Sequence, residues 1–290
     1  MSSSRLFKKI KYAMRFIPDK IYIQIYYFAH FKKFCDLKNP KTYNEKLNWL
    51  KLHDHNPLYT TLVDKYEVKE YVAKLIGEQY IIPTLGVWDS FDEIDFDMLP
   101  EQFVLKCTHD SEGLVIIREK SKLDKVAARV KIEAALKQNF YHIGREWPYR
   151  DVPPKIIAEQ YMEDHVDGEL RDYKFFCFDG EPKAMFVASD RASDHVKFDY
   201  FDLDYQHLDI KQKYPHAETP LRKPKTFDQM IELSKMLSEG FPHVRVDFYE
   251  VDGHLYFGEL TFYHFSGFMP FEPAKWDRTF GDWLNLSGCN

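Results

Sequence analysis

Near the end of the chain, the segments HVRVDFYEV (243–251) and HLYFGELTF (254–262) read as strands and meet at Asp252-Gly253. An Asp-Gly step between two such runs closes a hairpin through a two-residue turn. That turn restricts where the acids point. It sets Asp247 opposite Gly258 and sends Glu259 to the other face, because strand side chains alternate. Asp247 and Glu259 share a face only if the loop is odd in length or a bulge intervenes. Together, with Arg245 two residues before the first, they suit a Mg²⁺ ion that also holds phosphate oxygens, an ion usually gripped by one or two protein carboxylates. The other reading is a solvated hairpin with scattered charges. On this segment alone the two stand level.

The 290 residues allow one large domain or two to three small ones. With 44% hydrophobic and 30% charged residues the chain has an ordinary globular composition. A net charge of −6 argues against general nucleic-acid binding. The charge is uneven, however: residues 1–33 carry +7 and the remainder −13. The aromatic run 21–31 is too short to span a bilayer. This basic, aromatic segment either packs on the domain or lies on an anionic membrane surface. Cys35, Cys107, Cys177 and Cys289 are widely spaced with no CxxC pair, which points to a reducing, cytoplasmic setting and away from structural zinc.

Element order reads as α+β, with antiparallel hairpins and a few covering helices. Helices are expected over 1–55, with a break at Asn39-Pro40, and over Asp64–Ile76. A third is expected over Ser121–Phe140, opened by the cap-like Ser121-x-x-Asp124, and others over 226–239 and 274–286. Strands are expected at 102–108, 114–118, 156–162, 170–178, 183–189 and 197–203, besides the terminal hairpin. The segment 80–88 is extended, and Pro83 argues for an edge strand or a loop.

Several charged residues sit where a polyphosphate would need them. Lys106 ends an apolar strand just before His109-Asp-Ser-Glu-Gly113. Glu159-Gln160-Tyr161 leaves another strand, with Glu169 beyond it. Lys174 and Arg191 add cations on or beside nearby strands. Gathering Lys106, Lys174, Arg191 and Arg245 in one buried place is costly unless an anion fills it.

In this order the pieces resemble the ATP-grasp fold, and more closely the TupA-like ATP-grasp family of polysaccharide biosynthesis clusters. The phrases that carry the resemblance are KLNWLKLHDHNPLYTTLVDKYEVKEYV, IIPTLGVWDSFDEIDFDMLPEQFVLKC, GREWPY, IIAEQYMED, GELRDYKFFCFDGEPK, SDR, VRVDFYEVDG and YFGELTFY, over roughly 45–285. The resemblance implies antiparallel sheets with covering helices plus a helical N-terminal extension. It divides the chain at 1–55 (extension), 56–100 (small subdomain), 101–155 (lid-like subdomain) and 156–290 (subdomain with the magnesium site).

It also implies roles. Lys65 and Lys106 match ATP-contacting lysines, Glu159, Gln160 and Tyr161 the adenine hinge, and Glu169 the ribose acid. Asp247 and Glu259 match the magnesium carboxylates. Arg191 and Arg245 match cations that steady the transferring phosphoryl group and the tetrahedral intermediate, and Lys174, from its place on a nearby strand, is expected to act with them. Thr261 stands where such enzymes commonly have Asn, and so is expected at the substrate. Apart from the resemblance, His264 and Ser266, just beyond that strand, are candidates for the acceptor site or for a polar loop, and Arg145 for a substrate contact or a loop anchor. The loop after Lys106 departs from the family pattern, placing Asp110 and Glu112 where phosphates should lie.

The expected activity is an ATP- and Mg²⁺-dependent carboxylate–amine ligase. Its partners would be an amino acid and a uronic acid or amino sugar of a capsule or O-antigen glycan, at the inner face of the membrane. Two alternatives stand beside it. A glycosyltransferase would use the DxD pair Asp202 and Asp204, and a degenerate ATP-grasp module would bind without turnover.

Overall fold

The computed structural model describes residues 12–110, 113–191 and 195–289. The first helices are α1 (Asp19–Phe31), α2 (Tyr43–His53), α3 (Leu58–Val63) and α4 (Glu67–Ile76). α2 opens on a capping box: Thr42 Oγ1 accepts from the Glu45 amide at 3.4 Å, and Glu45 Oε2 accepts from the Thr42 amide at 3.1 Å. α4 starts three residues later than expected because Asp64 turns its carboxylate onto the amides of Tyr66 and Glu67, at 2.7 and 3.0 Å.

Next come β1 (Thr84–Trp88), β2 (Phe103–Cys107), β3 (Leu114–Ile117), α5 (Lys125–Leu136), a single turn α6 (Tyr141–Gly144) and β4 (Ile156–Gln160). The cap of α5 is Asp124, whose Oδ1 accepts from Val126 and Ala127; Ser121 lies in the turn before it. The four strands form one antiparallel sheet in the order β1-β4-β2-β3; of the two readings of Pro83 the edge holds, with β1 outermost and Pro83 just before it. This sheet runs through the boundaries expected at 100/101 and 155/156, since β4 pairs with both β1 and β2. One face packs on α5 through Phe103, Leu105, Cys107, Ile132 and Ala158. The other presents Val104, Lys106, Ile157 and Glu159, which share a side because opposed residues point the same way.

The second sheet contains β5 (Asp172–Phe178), β6 (Glu181–Ser189), β7 (Lys197–Phe201) and β8 (His207–Leu208). After α7 (Phe227–Ser238) come β9 (His243–Val251), β10 (His254–Thr261) and α8 (Lys275–Trp283). Its order is β10-β9-β5-β6-β7-β8, antiparallel throughout. α7 covers one face, with Phe227 against Phe175 (ring centroids 5.8 Å apart). α2 and α8 cover part of the other, where Tyr43 and Phe280 meet Phe176 at 6.4 and 5.1 Å. Phe175, Phe176, Phe178, Phe186 and Phe248 are fully enclosed, each worth about 1.5–3 kcal/mol of burial. Apolar residues of α2, α3 and α4 join this same core. Helices 43–76 therefore belong with the large sheet, and the boundary expected at 55/56 falls within that helical layer.

Candidate active site

The terminal hairpin meets its condition through a bulge. Asp252 and Gly253 form the turn, both at positive φ (51° and 82°). Phe257 pairs with Phe248, but the next pair is Glu259 with Asp247, which leaves Gly258 as the extra residue. A β-carbon at Gly258 would lie 3.0 Å from the Asp247 carbonyl oxygen and 3.1 Å from the Tyr249 ring. Glycine lets the bulged strand come this close. Asp247 and Glu259 thus stand opposite each other, with Arg245 and Thr261 paired beside them.

On that face the charges engage one another. Arg245 grips Asp247 with two parallel bonds, Nε to Oδ1 and Nη2 to Oδ2, each 2.7 Å. The same Nη2 reaches Thr261 Oγ1 at 2.9 Å and Glu259 Oε1 at 3.1 Å. Lys174, opposite Asp247 on β5, also bonds its Oδ2. Asp172 is buried, ion-paired to Arg191 and 3.6 Å from Lys174, yet neither of its oxygens has a hydrogen-bond partner among the described residues. The two metal candidates differ in access: Asp247 keeps 1% of its side-chain surface open and Glu259 44%. Burial opposes the Glu259 charge, but Lys174, Arg245 and Lys65 outweigh it and hold its pKa down to about 2. Glu259 is therefore charged at neutral pH, and both acids offer the hard oxygens Mg²⁺ takes.

Across from them, the small sheet supplies a second ionic cluster. Glu159, buried on β4, pairs with Lys106 through Oε2 and with Lys69 through Oε1 at 2.5 Å. Burial again opposes the carboxylate charge, and the two lysines reverse the balance and lower its pKa. The Tyr249 phenol feels charges of both clusters. Burial raises it to about 12, against Arg191, with Glu259, Asp247 and Glu159 all adding to the rise.

Other expected residues are placed variously. Lys65 donates to the Asp110 backbone oxygen. Gln160 gives its amide to the Pro83 carbonyl at 3.0 Å, so that amide is engaged within the sheet. Tyr161 lies under Arg118, 5.8 Å from the ring centroid. Glu169 takes Arg171 Nε at 2.9 Å and the Asp190 amide at 2.5 Å. Asp110 is turned inward, accepting from the Gly113 amide at 3.0 and 3.2 Å, and Glu112 lies outside the described residues. Thr108, just after Lys106, keeps its buried hydroxyl without a hydrogen-bond partner among the described residues.

Arg145 is a correction. Its guanidinium is 1% exposed, donates to the backbone oxygens of Met14 and Ile17 (2.7 and 3.3 Å), and lies 4.4 Å over the Tyr22 ring. It fastens the N-terminal segment and does not face the charged cleft. The DxD pair is corrected likewise: Asp202 Oδ1 accepts from the amides of Asp204 and Gln206, holding the β7–β8 turn at the sheet's far edge from Asp247. Ser266 gives its hydroxyl to Glu146 at 2.5 Å.

His264 is buried and serves as a strut. An arginine only donates, so Arg245 Nη1 gives to Nδ1 at 2.9 Å, and Nε2–H goes to Gln212 Oε1 at 3.0 Å. Burial, then Arg245, pushes its pKa well below the ordinary value. His243 is the second neutral histidine, with Nδ1–H to the Cys177 carbonyl and Nε2 accepting from Tyr43, both at 2.8 Å. Burial lowers it to about 3. Both imidazoles stay neutral in the fold, whereas in the unfolded chain they protonate near pH 6.5. The unfolded state then binds more protons, so the contribution present above pH 6.5 is lost as pH falls below it. The melting temperature is expected to hold from pH 8 to 7 and fall from pH 6.5 to 5, with the fall reduced in His243→Gln. A flat profile over that window would overturn this.

The sequence reading passed over Lys69, Asp172 and Gln212 as site residues. Asp172 left a signal, since D-x-K on a strand puts both charges on one face. Lys69 and Gln212 act through partners far along the chain, and no local pattern marks them.

A family model described as TupA-like ATPgrasp matches residues 45–285. No curated protein matches the chain. Among solved structures, the chain is similar to D-alanine–D-alanine ligase from Bacillus anthracis complexed with ATP, at TM-score 0.43 and 14% identity over 75% of this chain and 60% of that one. The Helicobacter pylori D-alanine–D-alanine ligase gives 0.44 and 15% over 84% and 69%. N5-carboxyaminoimidazole synthase from Aspergillus clavatus gives 0.42 and 13% over 73% and 48%. The chain thus spans less than two thirds of the length of the first and third of these proteins.

Proposed function

The chain belongs to the TupA-like ATP-grasp family, and from that membership and its charged cleft we propose that it is an ATP-dependent carboxylate–amine ligase. The observation that carries the proposal is the Gly258 bulge, which sets Asp247 and Glu259 opposite each other among Lys174, Arg245 and Lys65. Asp247 and Glu259 would hold Mg²⁺. Lys65, Lys106 and the orphan Thr108 hydroxyl would receive phosphate oxygens, and the 156–161 strand would border the adenine. ATP with Mg²⁺ supplies activation, by converting a carboxylate to an acyl phosphate with release of ADP, so that an amine forms the amide as phosphate leaves. The chain's own part is positioning and charge neutralisation. Arg245, anchored from behind by His264, presents a permanent cation where negative charge develops once its carboxylate partners turn to the metal. Lys174 and Arg191 add to it from β5 and the loop after β6.

The partners we assign are an amino acid and a uronic acid or amino sugar of a bacterial surface polysaccharide. Purified protein with ATP and Mg²⁺ should release ADP only with a matching acid and amine from paired panels. Mass spectrometry should find a product equal to the two partners less one water. No ADP release with any pair, alongside intact nucleotide binding, would favour the degenerate module instead. Glycosyl transfer that survives both Lys106→Ala and Asp247→Asn would replace the ligase reading.

We place this work at the inner face of a membrane. Among the described residues no helix is long and apolar enough to cross one. α1, however, exposes Ile21, Ile25 and Phe28 at helical spacing, with Phe16 (80% exposed) and Phe34 (69%) at its ends. Arg15, Lys20, Lys32 and Lys33 lie among them. An apolar stripe bordered by cations suits an anionic lipid surface. The protein should co-sediment with vesicles containing phosphatidylglycerol and not with pure phosphatidylcholine. Equal behaviour toward both would overturn the placement.

A further inference from the structure

On the other face of the large sheet, and toward its far edge, Asp199, His207 and His216 come together with no role in the cleft. Asp199 is on β7 opposite Val187, which pairs with Tyr173, so it points away from Lys174 and Asp247. His207 begins β8, and His216 lies on the segment that returns past the strand. One potential ligand atom from each residue falls within 4.8 Å of the others. His207 Nε2 is 3.0 Å from Asp199 Oδ1, and the two imidazole rings meet edge to face with centroids 4.7 Å apart.

The surroundings orient these groups as a metal's outer contacts do. Asp199 is 4% exposed, and its second oxygen accepts from the Ala217 amide at 3.0 Å. His216 Nε2–H goes to the Ile210 carbonyl at 2.7 Å, which keeps the lone pair on Nδ1. A backbone carbonyl on one ring nitrogen and an N–H on the spare carboxylate oxygen are the supports that metal-bound histidines and carboxylates characteristically have. An isolated His–Asp pair is also present, His165 with Asp252, exposed and with no third ligand residue beside it among the described residues. The contrast isolates what is particular to the 199/207/216 group.

We propose that Asp199, His207 and His216 bind a borderline divalent cation of the Zn²⁺ class. Two imidazoles and one carboxylate suit Zn²⁺, Co²⁺ or Ni²⁺ better than Mg²⁺, whose preference is for oxygen alone. The scattered cysteines argue only against a thiolate centre, and this one needs none. To ligate through Nε2, the neutral His207 ring adopts the tautomer with its proton on Nδ1, which leaves the Nε2 lone pair for the metal. The bound cation would fasten the β7–β8 hairpin to the 209–217 segment. That segment carries Gln212, which accepts from Tyr200 at 2.8 Å and from His264, the strut behind Arg245. The inference does not rest on the ligase reading.

The test uses the full chain, stripped with chelator, in excess Mg²⁺, and titrated with Co²⁺ as the probe. One Co²⁺ per chain should bind with visible d–d absorption, and Zn²⁺ should displace it. His207→Ala and His216→Ala should each weaken binding tenfold or more, while His165→Ala leaves it unchanged. His207→Gln, at an exposed position, guards against misfolding and should weaken binding as well. Zn²⁺ should raise the melting temperature of the parent protein and not of His207→Gln. Absence of Co²⁺ binding at about millimolar metal, or full binding in both the His207 and His216 variants, would overturn the proposal.

Discussion

Asp247→Asn is expected to lower ADP release by about 10²–10³-fold and to destabilise the protein by about 3–5 kcal/mol. Two separate effects meet at this residue. Its carboxylate is 1% exposed and neutralises both Arg245 and Lys174, so an amide leaves two buried cations partly uncompensated. It is also one of the two oxygen donors proposed for Mg²⁺. Glu259→Gln separates the effects. Glu259 keeps 44% of its side chain open, and a partly exposed ion pair is worth about 0–1 kcal/mol. This variant should lose a similar share of turnover while its melting temperature barely moves. Full turnover in Asp247→Asn would remove the metal assignment, and equal destabilisation by both would reduce the acid pair to a structural feature.

Lys106→Ala is expected to weaken ATP binding by about 10–100-fold, the loss of one charge-assisted bond to a phosphate. Lys106 is 24% exposed at its side chain, so it is open to the cleft while paired with Glu159. Lys69 remains in the variant and keeps Glu159 from standing alone as a buried anion. The loss should therefore appear in nucleotide affinity, read by calorimetry with Mg²⁺ present, more than in the melting temperature. Wild-type ATP affinity in this variant would remove Lys106 from the nucleotide site.

Much of the large sheet was legible because its strands are short apolar, aromatic-rich runs and two of its turns carry Asp-Gly steps. Parity showed that one extra residue must lie between Asp247 and Glu259 if the two are to meet. Parity does not say where, and Gly258 is chosen by a close approach of two backbones that appears only in three dimensions. The covering helices α4, α7 and α8 were legible within a turn at their ends, whereas α5 is four residues shorter at each end than expected and α3 was not expected. The subdomain boundaries were not: β4 joins β1, some seventy residues earlier, by hydrogen bonds, and nothing local in IIAEQ names its partners. Arg145 illustrates a different limit. An arginine beside aromatic residues reads as a ligand contact, yet the groups enclosing it come from the N-terminal segment, more than a hundred residues away.

The principal charges of the cleft form salts with one another: Arg245 and Lys174 with Asp247, Lys106 with Glu159, Arg191 with Asp172. A bare cation or a bare polyphosphate approaching this arrangement would have to break existing salts and leave one sign uncompensated. A ligand bringing both signs would meet no such obstacle, because it can undergo metathesis: its metal takes the carboxylates while its phosphates take the released ammonium and guanidinium groups. On the proposed function, such a pocket would exchange one salt for another, and so would select the metal–nucleotide complex over either of its ions alone.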